Sequence, residues 1–232
     1  MEANRAAGSG VWHANGPAGE HVNGRETPGK QARGRDRVLD GEVDADPTGD
    51  RVLTEQAPFG RPAGDKSDPH LAAMRSIEQQ AFTAPEGIAL RYGLLYGGDA
   101  ERLRVLLAKR GLPVANGGLL GWVHHQDAVT ATVAALEHGQ AGQAYNVVDD
   151  QPASWQEVFT AMAEAFGAPP PRRLPGWLLR LFAPYVASFV VGASMRVANA
   201  KAKTELGWQP MLPTYHEGIQ AMAAAAQITT VS

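Results

Sequence analysis

The stretch from Ile88 to Gly98 constrains the fold of this chain most strongly, because it is a short apolar run that ends in glycines. Its length and its glycine flank favour a buried strand that runs into a tight loop, and not a helix. In open α/β sheets, ligands bind just beyond the carboxyl ends of such strands. We therefore expect the loop from Tyr92 to Gly98 to lie near whatever the protein binds.

Composition narrows the class of protein. The chain has 232 residues, of which 44% are hydrophobic, so it is long enough to bury a substantial core. Its net charge is -3 and its basic residues are scattered, which argues against a nucleic-acid partner. It contains no cysteine, which excludes disulfides and cysteine metal ligands. The N-terminus has no apolar signal core, so we expect a cytoplasmic protein.

Residues 1–50 differ in composition from the rest of the chain. Their few large apolar residues are dispersed among many glycines and charged residues. Such a segment cannot bury enough apolar area to offset the entropy of ordering it. We expect residues 1–50 to be disordered and residues 51–232 to form a partial α/β domain.

Hydrophobic periodicity predicts a second strand and six helices. The second strand spans residues 143–148 and is followed by a turn. Ser154 and Glu157 have the spacing of a capping box at a helix start, and we expect Asp127 to stabilise the amides of another helix start. The predicted helices span residues 69–82, 100–110, 128–137, 154–166, 199–206 and 214–225.

The most apolar part of the chain runs from Trp177 to Val191. Arg180 and Pro184 interrupt it, so its uninterrupted length is short of the roughly 20 residues that a transmembrane helix needs. We therefore expect no membrane insertion. We interpret this segment as a helical lid or substrate subdomain, whose exposed hydrophobic residues could also bind a second copy of the chain. Formation of a homodimer is left open.

Two adjacent histidines, His124 and His125, are the residues to consider for a metal site. On a strand, neighbouring side chains point to opposite faces, so these two imidazoles cannot bind one ion together. The sequence has no second histidine pair at helical spacing. We therefore predict no metal site.

Four short motifs, in this order along the chain, resemble those of the NAD-dependent epimerase/dehydratase family, which are extended short-chain dehydrogenase/reductases. They are Leu90-Arg91-Tyr92 with Tyr96-Gly97, Trp122-Val-His-His-Gln-Asp127, Tyr145-Asn146-Val147, and Ala200-Lys-Ala-Lys-Thr-Glu-Leu-Gly-Trp208-Gln-Pro210. The resemblance covers residues 52–226. It implies the C-terminal part of a Rossmann-type, NAD(P)-binding α/β fold with a helical substrate subdomain.

The same resemblance implies a function. Members of the family are NAD(P)-dependent and oxidoreductase-like, so it implies NAD or NADP as the cofactor. It also implies a nucleotide-sugar-like or other polar small molecule as the substrate. By their positions in the family's loop, Tyr92, Leu94 and Leu95 would lie near the nicotinamide.

Several positions depart from the family's pattern. His70 and Met74 stand where the family has the tyrosine and lysine of its catalytic dyad, and Leu94 and Gly98 replace an asparagine and a proline. His70 is a weak candidate for carrying a proton, although a surface histidine at a helix start is the simpler interpretation. Met74 cannot replace a cation, and we expect it to pack in the core.

The glycine-rich turn that would hold a pyrophosphate is not found in the sequence either. Two hypotheses therefore stand side by side. The chain is either a truncated oxidoreductase that lacks the dyad, or a non-catalytic binding or interaction protein that retains part of the fold.

Overall fold

The computed structural model describes residues 52–57, 68–183, 187, 191 and 194–231. The predicted disorder of residues 1–50 concerns a segment outside this part of the chain. The described residues form short, mostly parallel strands and packed helices. This architecture confirms the predicted fold class, the C-terminal part of a Rossmann-type α/β fold.

Both predicted strands and all six predicted helices are present. The strands are β1 (Val52–Leu53), β2 (Ala89–Tyr92), β3 (Leu94–Tyr96), β4 (Leu119–Leu120), β5 (Trp122–His124), β6 (Ala144–Val147), β7 (Ala153–Ser154) and β8 (Arg196–Val197). The helices are α1 (Asp68–Thr83), α2 (Ala100–Ala108), α3 (His125–His138), α4 (Trp155–Ala165), α5 (Gly176–Phe182), α6 (Ala200–Glu205) and α7 (Tyr215–Val231).

The predicted first strand is divided at Gly93, so that β2 and β3 have different partners. β2 runs parallel to β6, and β3 runs parallel to β5. The N–H of Gly93 donates to Val147 O at 3.0 Å, whereas the N–H of Leu94 donates to Gly121 O at 2.9 Å. A Cβ at residue 93 would lie 2.6 Å from that Gly121 oxygen. Only glycine therefore allows β5 to approach this closely.

Helices α1 and α3 cover opposite faces of β2. Successive residues of a strand point to opposite faces of its sheet. The Arg91 side chain donates to Glu78 of α1, whereas the hydroxyl of Tyr92 lies 2.6 Å from Thr132 Oγ1 of α3. The sheet is thus layered between helices, as in α/β folds generally.

Two hydrophobic clusters hold these layers together. One lies beneath α3 and α6 and contains the fully buried side chains of Val123 and Tyr145. The other lies between β5, α4 and α7 and is rich in aromatic residues. In it, the rings of Trp155 and Phe159 have centroids 4.4 Å apart, and the ring of Trp122 contacts both. Large aromatic side chains of this kind contribute much of a core's stabilisation.

Helix α1 packs differently from the prediction. Met74 is 42% exposed and Ile77 is 43% exposed, so the expectation that Met74 packs in the core is wrong. Where α1 contacts the sheet, Glu78 forms an ion pair with Arg91 of β2 at 2.8 Å. The physical reason is that β2 is the outermost described strand on this side, so the neighbouring apolar residues of α1 have no sheet beneath them.

The described beginning of the apolar segment after Pro175 forms the short helix α5. In this helix the Leu179 side chain is buried, whereas the side chains of Trp177, Leu181 and Phe182 are exposed. Within the described ranges, no helix combines the length and the apolar character that crossing a membrane requires.

Candidate functional site

Side chains from three strands meet at the carboxyl edge of the sheet. Tyr96 ends β3, His124 ends β5, and Asp149 lies just beyond the end of β6. The N–H of Asp149 donates to Trp122 O at 2.6 Å, which holds the end of β6 against β5. The rings of Tyr96 and His124 contact each other edge to face, with centroids 5.2 Å apart. We name Tyr96, His124 and Asp149 the carboxyl-edge cluster.

Burial determines the protonation of the carboxyl-edge cluster. Asp149 is 4% exposed, and its Oδ2 has no hydrogen-bond partner among the described residues. Burial raises the pKa of the Asp149 carboxyl to about 8. It also raises the pKa of the Tyr96 phenol and lowers the pKa of the His124 imidazole. All three groups are therefore predominantly neutral at pH 7, and the Asp149 carboxyl can donate a hydrogen bond as well as accept one.

At two glycines, the backbone lies directly against side chains of this cluster. Gly97 has a φ of +96°, and a side chain there would overlap the His124 imidazole. A side chain at Gly218 of α7 would overlap the hydroxyl of Tyr96. The backbone therefore approaches His124 and Tyr96 so closely that both positions require glycine.

Asp127 connects the same edge to the C-terminal segment. It lies in the first turn of α3, as expected, but α3 begins at His125 with His124 as its N-cap. The buried Asp127 carboxylate accepts hydrogen bonds from the backbone N–H groups of Met211 at 2.7 Å and Leu212 at 3.0 Å. Its main role is therefore a tie between distant segments, in addition to any effect on the helix start.

Tyr92, Leu94 and Leu95 lie where the strand reaches this edge, and all three are half-buried. The Tyr92 hydroxyl contacts Thr132, and burial raises the pKa of Tyr92. Leu94 packs against the aromatic cluster, whereas Leu95 packs against the cluster beneath α3. The three side chains are thus engaged in packing, and their proximity to a nicotinamide stays a prediction.

The dyad positions His70 and Met74 lie one turn apart in α1, and the His70 side chain is outside the described residues. One turn further, both carboxylate oxygens of Glu78 accept from the Arg91 guanidinium, at 2.8 and 2.9 Å. Arg91 also donates to Glu55 O at 3.0 Å. Our sequence reasoning missed this network. The signal was an arginine inside an apolar strand, because a partly buried guanidinium requires acceptors.

The adjacent histidines differ in burial, since His124 is buried and His125 is exposed. No group of three or more histidine or carboxylate side chains in the described part of the chain is placed to hold a metal ion.

The starts of four helices, α2, α3, α4 and α7, do not fit a dinucleotide pyrophosphate. Such a group binds at a helix N-terminus whose amides are open and whose dipole is positive. In α2, α3, α4 and α7, carboxylates already occupy the N-cap or the first turn. They are Asp99 and Glu101, Asp127, Glu157, and Glu217, respectively. Because these negative charges oppose a phosphate, the four helix starts do not provide a pyrophosphate site.

Comparison with known proteins finds a relative that is similar in sequence. No family model matches the chain. A 3-diazoavenalumate denitrifying reductase from Streptomyces sp. is 36% identical over 187 residues, which amounts to 75% of this chain and 60% of that protein. The chain thus spans about three fifths of this relative.

Solved structures of the NAD-dependent epimerase/dehydratase type share the fold. The human epimerase family protein SDR39U1 (isoform 2), solved with NADPH, has a TM-score of 0.61 at 16% identity, covering 75% of this chain and 60% of that chain. A nucleoside-diphosphate-sugar epimerase from Pseudomonas aeruginosa has a TM-score of 0.60 at 17% identity, with coverages of 78% and 61%. A dTDP-glucose 4,6-dehydratase from Bacillus anthracis, solved with NAD, has a TM-score of 0.58 at 18% identity, with coverages of 78% and 57%.

Proposed function

We propose that this chain, which has the fold of the NAD-dependent epimerase/dehydratase family, is the substrate-side part of an NAD(P)-dependent reductase or epimerase. Its substrate class would be nucleotide-sugar-like or other polar small molecules. The observation that carries the proposal is the convergence of three parallel strand ends at one edge, because ligands of open α/β sheets bind there. The 36% identity to a reductase supports the same class of chemistry.

The cofactor would be NAD or NADP, as in the neighbours solved with NADPH or NAD. When bound, such a group supplies hydride exchange. The loop that holds Tyr92, Leu94 and Leu95 would face its nicotinamide end. The pyrophosphate would have to be held elsewhere, since carboxylates occupy the starts of α2, α3, α4 and α7.

A second candidate function is a non-catalytic binding or interaction protein. It is favoured by the positions that replace the dyad, because a methionine at residue 74 cannot lower the pKa of a neighbouring acid. Met74 is also exposed to solvent and not directed into a closed site. His70 is then the weak remaining candidate for proton transfer on α1.

The test is calorimetric titration of the full chain with NADPH and, separately, with UDP-glucose and 3-diazoavenalumate. We expect one of the two small molecules to bind and to raise the melting temperature. We expect NADPH to bind with a Kd weaker than about 10 μM, which corresponds to roughly 7 kcal/mol. Failure of both small molecules to bind would contradict the proposal. Tighter NADPH binding would reveal a phosphate site that the described helix starts do not show.

Turnover separates the two candidate functions. Consumption of NADPH in the presence of a bound small molecule favours the oxidoreductase. If a small molecule binds and NADPH is not consumed, the chain is a binding protein under these conditions. His70→Ala provides the internal comparison, because it removes the one candidate proton carrier of the dyad positions.

A further inference from the structure

Helix α5 presents apolar side chains on the side that faces away from the protein. Leu179 is buried in a cluster with Ala115, so it marks the inward side of the helix. At 3.6 residues per turn, Trp177 lies about 160° around the helix from Leu179, and Leu181 lies one turn after Trp177. Trp177 is 66% exposed, Leu181 is 67% exposed and Phe182 is 77% exposed. A surface helix usually carries polar residues on its outward side, so α5 departs from the common pattern.

These three exposed side chains lie within six residues of one another. We name Trp177, Leu181 and Phe182 the α5 patch. Single exposed apolar residues are ordinary on protein surfaces, whereas a group of large ones marks a place where another molecule or a lipid surface binds. The charges around the α5 patch indicate which of these it is.

The segment that holds the α5 patch is positively charged. Residues 165–204 contain six lysines and arginines and no aspartate or glutamate, although the whole chain has a net charge of -3. Arg180 lies on α5 itself, and Arg172 and Arg173 lie shortly before it; all three are exposed. Clustered charges of one sign give a surface a positive potential, which attracts negatively charged partners.

The tertiary structure adds two cations to this region. The N–H of Val114 donates to Arg172 O at 2.9 Å, and Val114 O accepts from the N–H of Leu174 at 2.8 Å. The chain that follows α2 therefore lies beside the segment that leads into α5. Lys109 and Arg110, at the end of α2, are both exposed. Positive charge thus comes from two segments that are distant in sequence but paired in the fold.

We propose that the α5 patch and the arginines beside it attach the protein to the surface of an anionic lipid membrane. Trp177, Leu181 and Phe182 enter the boundary between headgroups and acyl chains, where tryptophan is enriched in membrane proteins. The arginines contact the negatively charged headgroups. With seven residues, α5 lies on the membrane and does not cross it. This inference does not depend on the proposed function.

Charge complementarity selects this occupant. An anionic lipid surface offers an apolar boundary and negative charge side by side, which is the arrangement that α5 and its arginines match. A second copy that binds through the α5 patch would place the same arginines opposite each other, because the two sides of an isologous interface are identical. Such like charges oppose association. An acidic polypeptide would satisfy the arginines, but it need not cover the three apolar side chains.

The experiment measures co-sedimentation of the full chain with lipid vesicles. One set of vesicles contains phosphatidylcholine and phosphatidylserine at roughly 2:1, and the other contains phosphatidylcholine alone. We expect the chain to bind the anionic vesicles at least about tenfold more tightly than the neutral ones. Added salt should weaken this binding, because it screens the attraction between the arginines and the headgroups.

Two substitutions separate the apolar and the basic contributions. Trp177→Ser removes an aromatic side chain from the lipid boundary and should weaken binding to the anionic vesicles by about tenfold. Arg173→Gln removes one positive charge near the headgroups and should weaken this binding by about fivefold. Both side chains are exposed, so neither change disturbs the core.

Met211→Ser and Arg102→Gln are the matched controls. Met211 is a similarly exposed apolar residue between α6 and α7, and Arg102 is an exposed arginine in the first turn of α2. Each control should leave vesicle binding within about twofold of the wild type, because exposed charges and apolar groups act over short distances. Circular dichroism checks that all four variants keep the fold.

The proposal is overturned if the chain does not bind the anionic vesicles, or if it binds the neutral ones equally well. It is also overturned if Trp177→Ser and Arg173→Gln weaken binding no more than Met211→Ser and Arg102→Gln do. Binding to poly-glutamate that is as tight as binding to the anionic vesicles, and unchanged in Trp177→Ser, would identify an acidic polypeptide as the occupant instead. Self-association in sedimentation equilibrium that Trp177→Ser abolishes would identify a second copy.

Discussion

The two outer edges of the β2–β6 pair are completed in different ways. On the outer side of β6, three alternate residues each have one backbone group that is hydrogen-bonded to a side chain. The pairs are Asn146 N–H with Glu55 Oε1 (2.8 Å), Ala144 O with Lys201 Nζ (3.0 Å) and Val148 O with Asn199 Nδ2 (2.8 Å). On the outer side of β2, the described residues offer no such partners. The β6 edge is therefore finished within this chain, whereas the β2 edge has the character of an interface.

The side chains beside the β6 edge are also more deeply buried than those beside the β2 edge. Beside the β6 edge, Tyr145 is fully buried and Lys201 lies over its ring at 4.8 Å. Beside the β2 edge, Met74 and Ile77 of α1 are exposed. Stability should accordingly be concentrated on the β6 side, and substitutions on the two sides should have unequal effects.

The largest loss of stability is expected for Tyr145→Ala. The substitution removes a fully buried aromatic ring and its hydroxyl, which accepts from Gln140 N–H at 3.1 Å. We expect the free energy of unfolding to fall by about 3–5 kcal/mol, measured by urea denaturation. Tyr145→Phe keeps the ring and should recover most of this loss. A change below about 1 kcal/mol for Tyr145→Ala would contradict the contrast between the two edges.

Glu55→Ala tests the closure of the β6 edge itself. Its carboxylate accepts from the backbone N–H of the buried Asn146. Without an acceptor, that N–H is left unsatisfied, so the free energy of unfolding should fall by about 1–3 kcal/mol. Glu55→Gln retains an acceptor oxygen and serves as the control. Equal losses in Glu55→Ala and Glu55→Gln would show that the charge, and not the hydrogen bond, is responsible.

Asp149→Asn tests the buried acid at the carboxyl edge. Because burial raises the folded-state pKa from 3.8 to about 8, the stabilising contribution of the protonated carboxyl is complete below the lower value and is lost as pH rises through the upper one. The wild-type free energy of unfolding should therefore fall between about pH 5 and pH 8 by about 1.4 kcal/mol or more relative to Asp149→Asn.

Asp150→Asn is the control for this pH dependence, because Asp150 is exposed and bonded to Lys203. Because the Asp150 charge also raises the pKa of Asp149, though less than burial does, Asp150→Asn should reduce the wild-type slope only slightly. Parallel pH profiles for wild type and Asp149→Asn would mean that Asp149 is ionised in the folded protein.

The smallest effect is expected for Met74→Ala on the open side. Because Met74 is 42% exposed, its truncation should lower the free energy of unfolding by less than about 1 kcal/mol. A loss above about 2 kcal/mol in the isolated chain would indicate that Met74 is buried in solution.

Local sequence patterns were sufficient to predict six of the seven described helices and the paired strands β2 and β6. The apolar run at residues 143–148 became β6, and the spacing of Ser154 and Glu157 became a capping box with both of its hydrogen bonds formed. The ordered motifs also predicted the fold class, which the similar solved structures confirm. These features depend on residues within a few positions of one another, so the sequence displays them directly.

Contacts between distant segments were decided only by the tertiary structure. Asp127 binds backbone groups 84 and 85 residues away, and Arg91 joins Glu78 to Glu55. Periodicity identifies an apolar stripe on α1, but the exposure of Met74 depends on where the sheet ends. The physical reason is that a pattern fixes which face of an element is apolar, whereas burial, ion pairs and pKa values depend on what that face meets after the chain has folded.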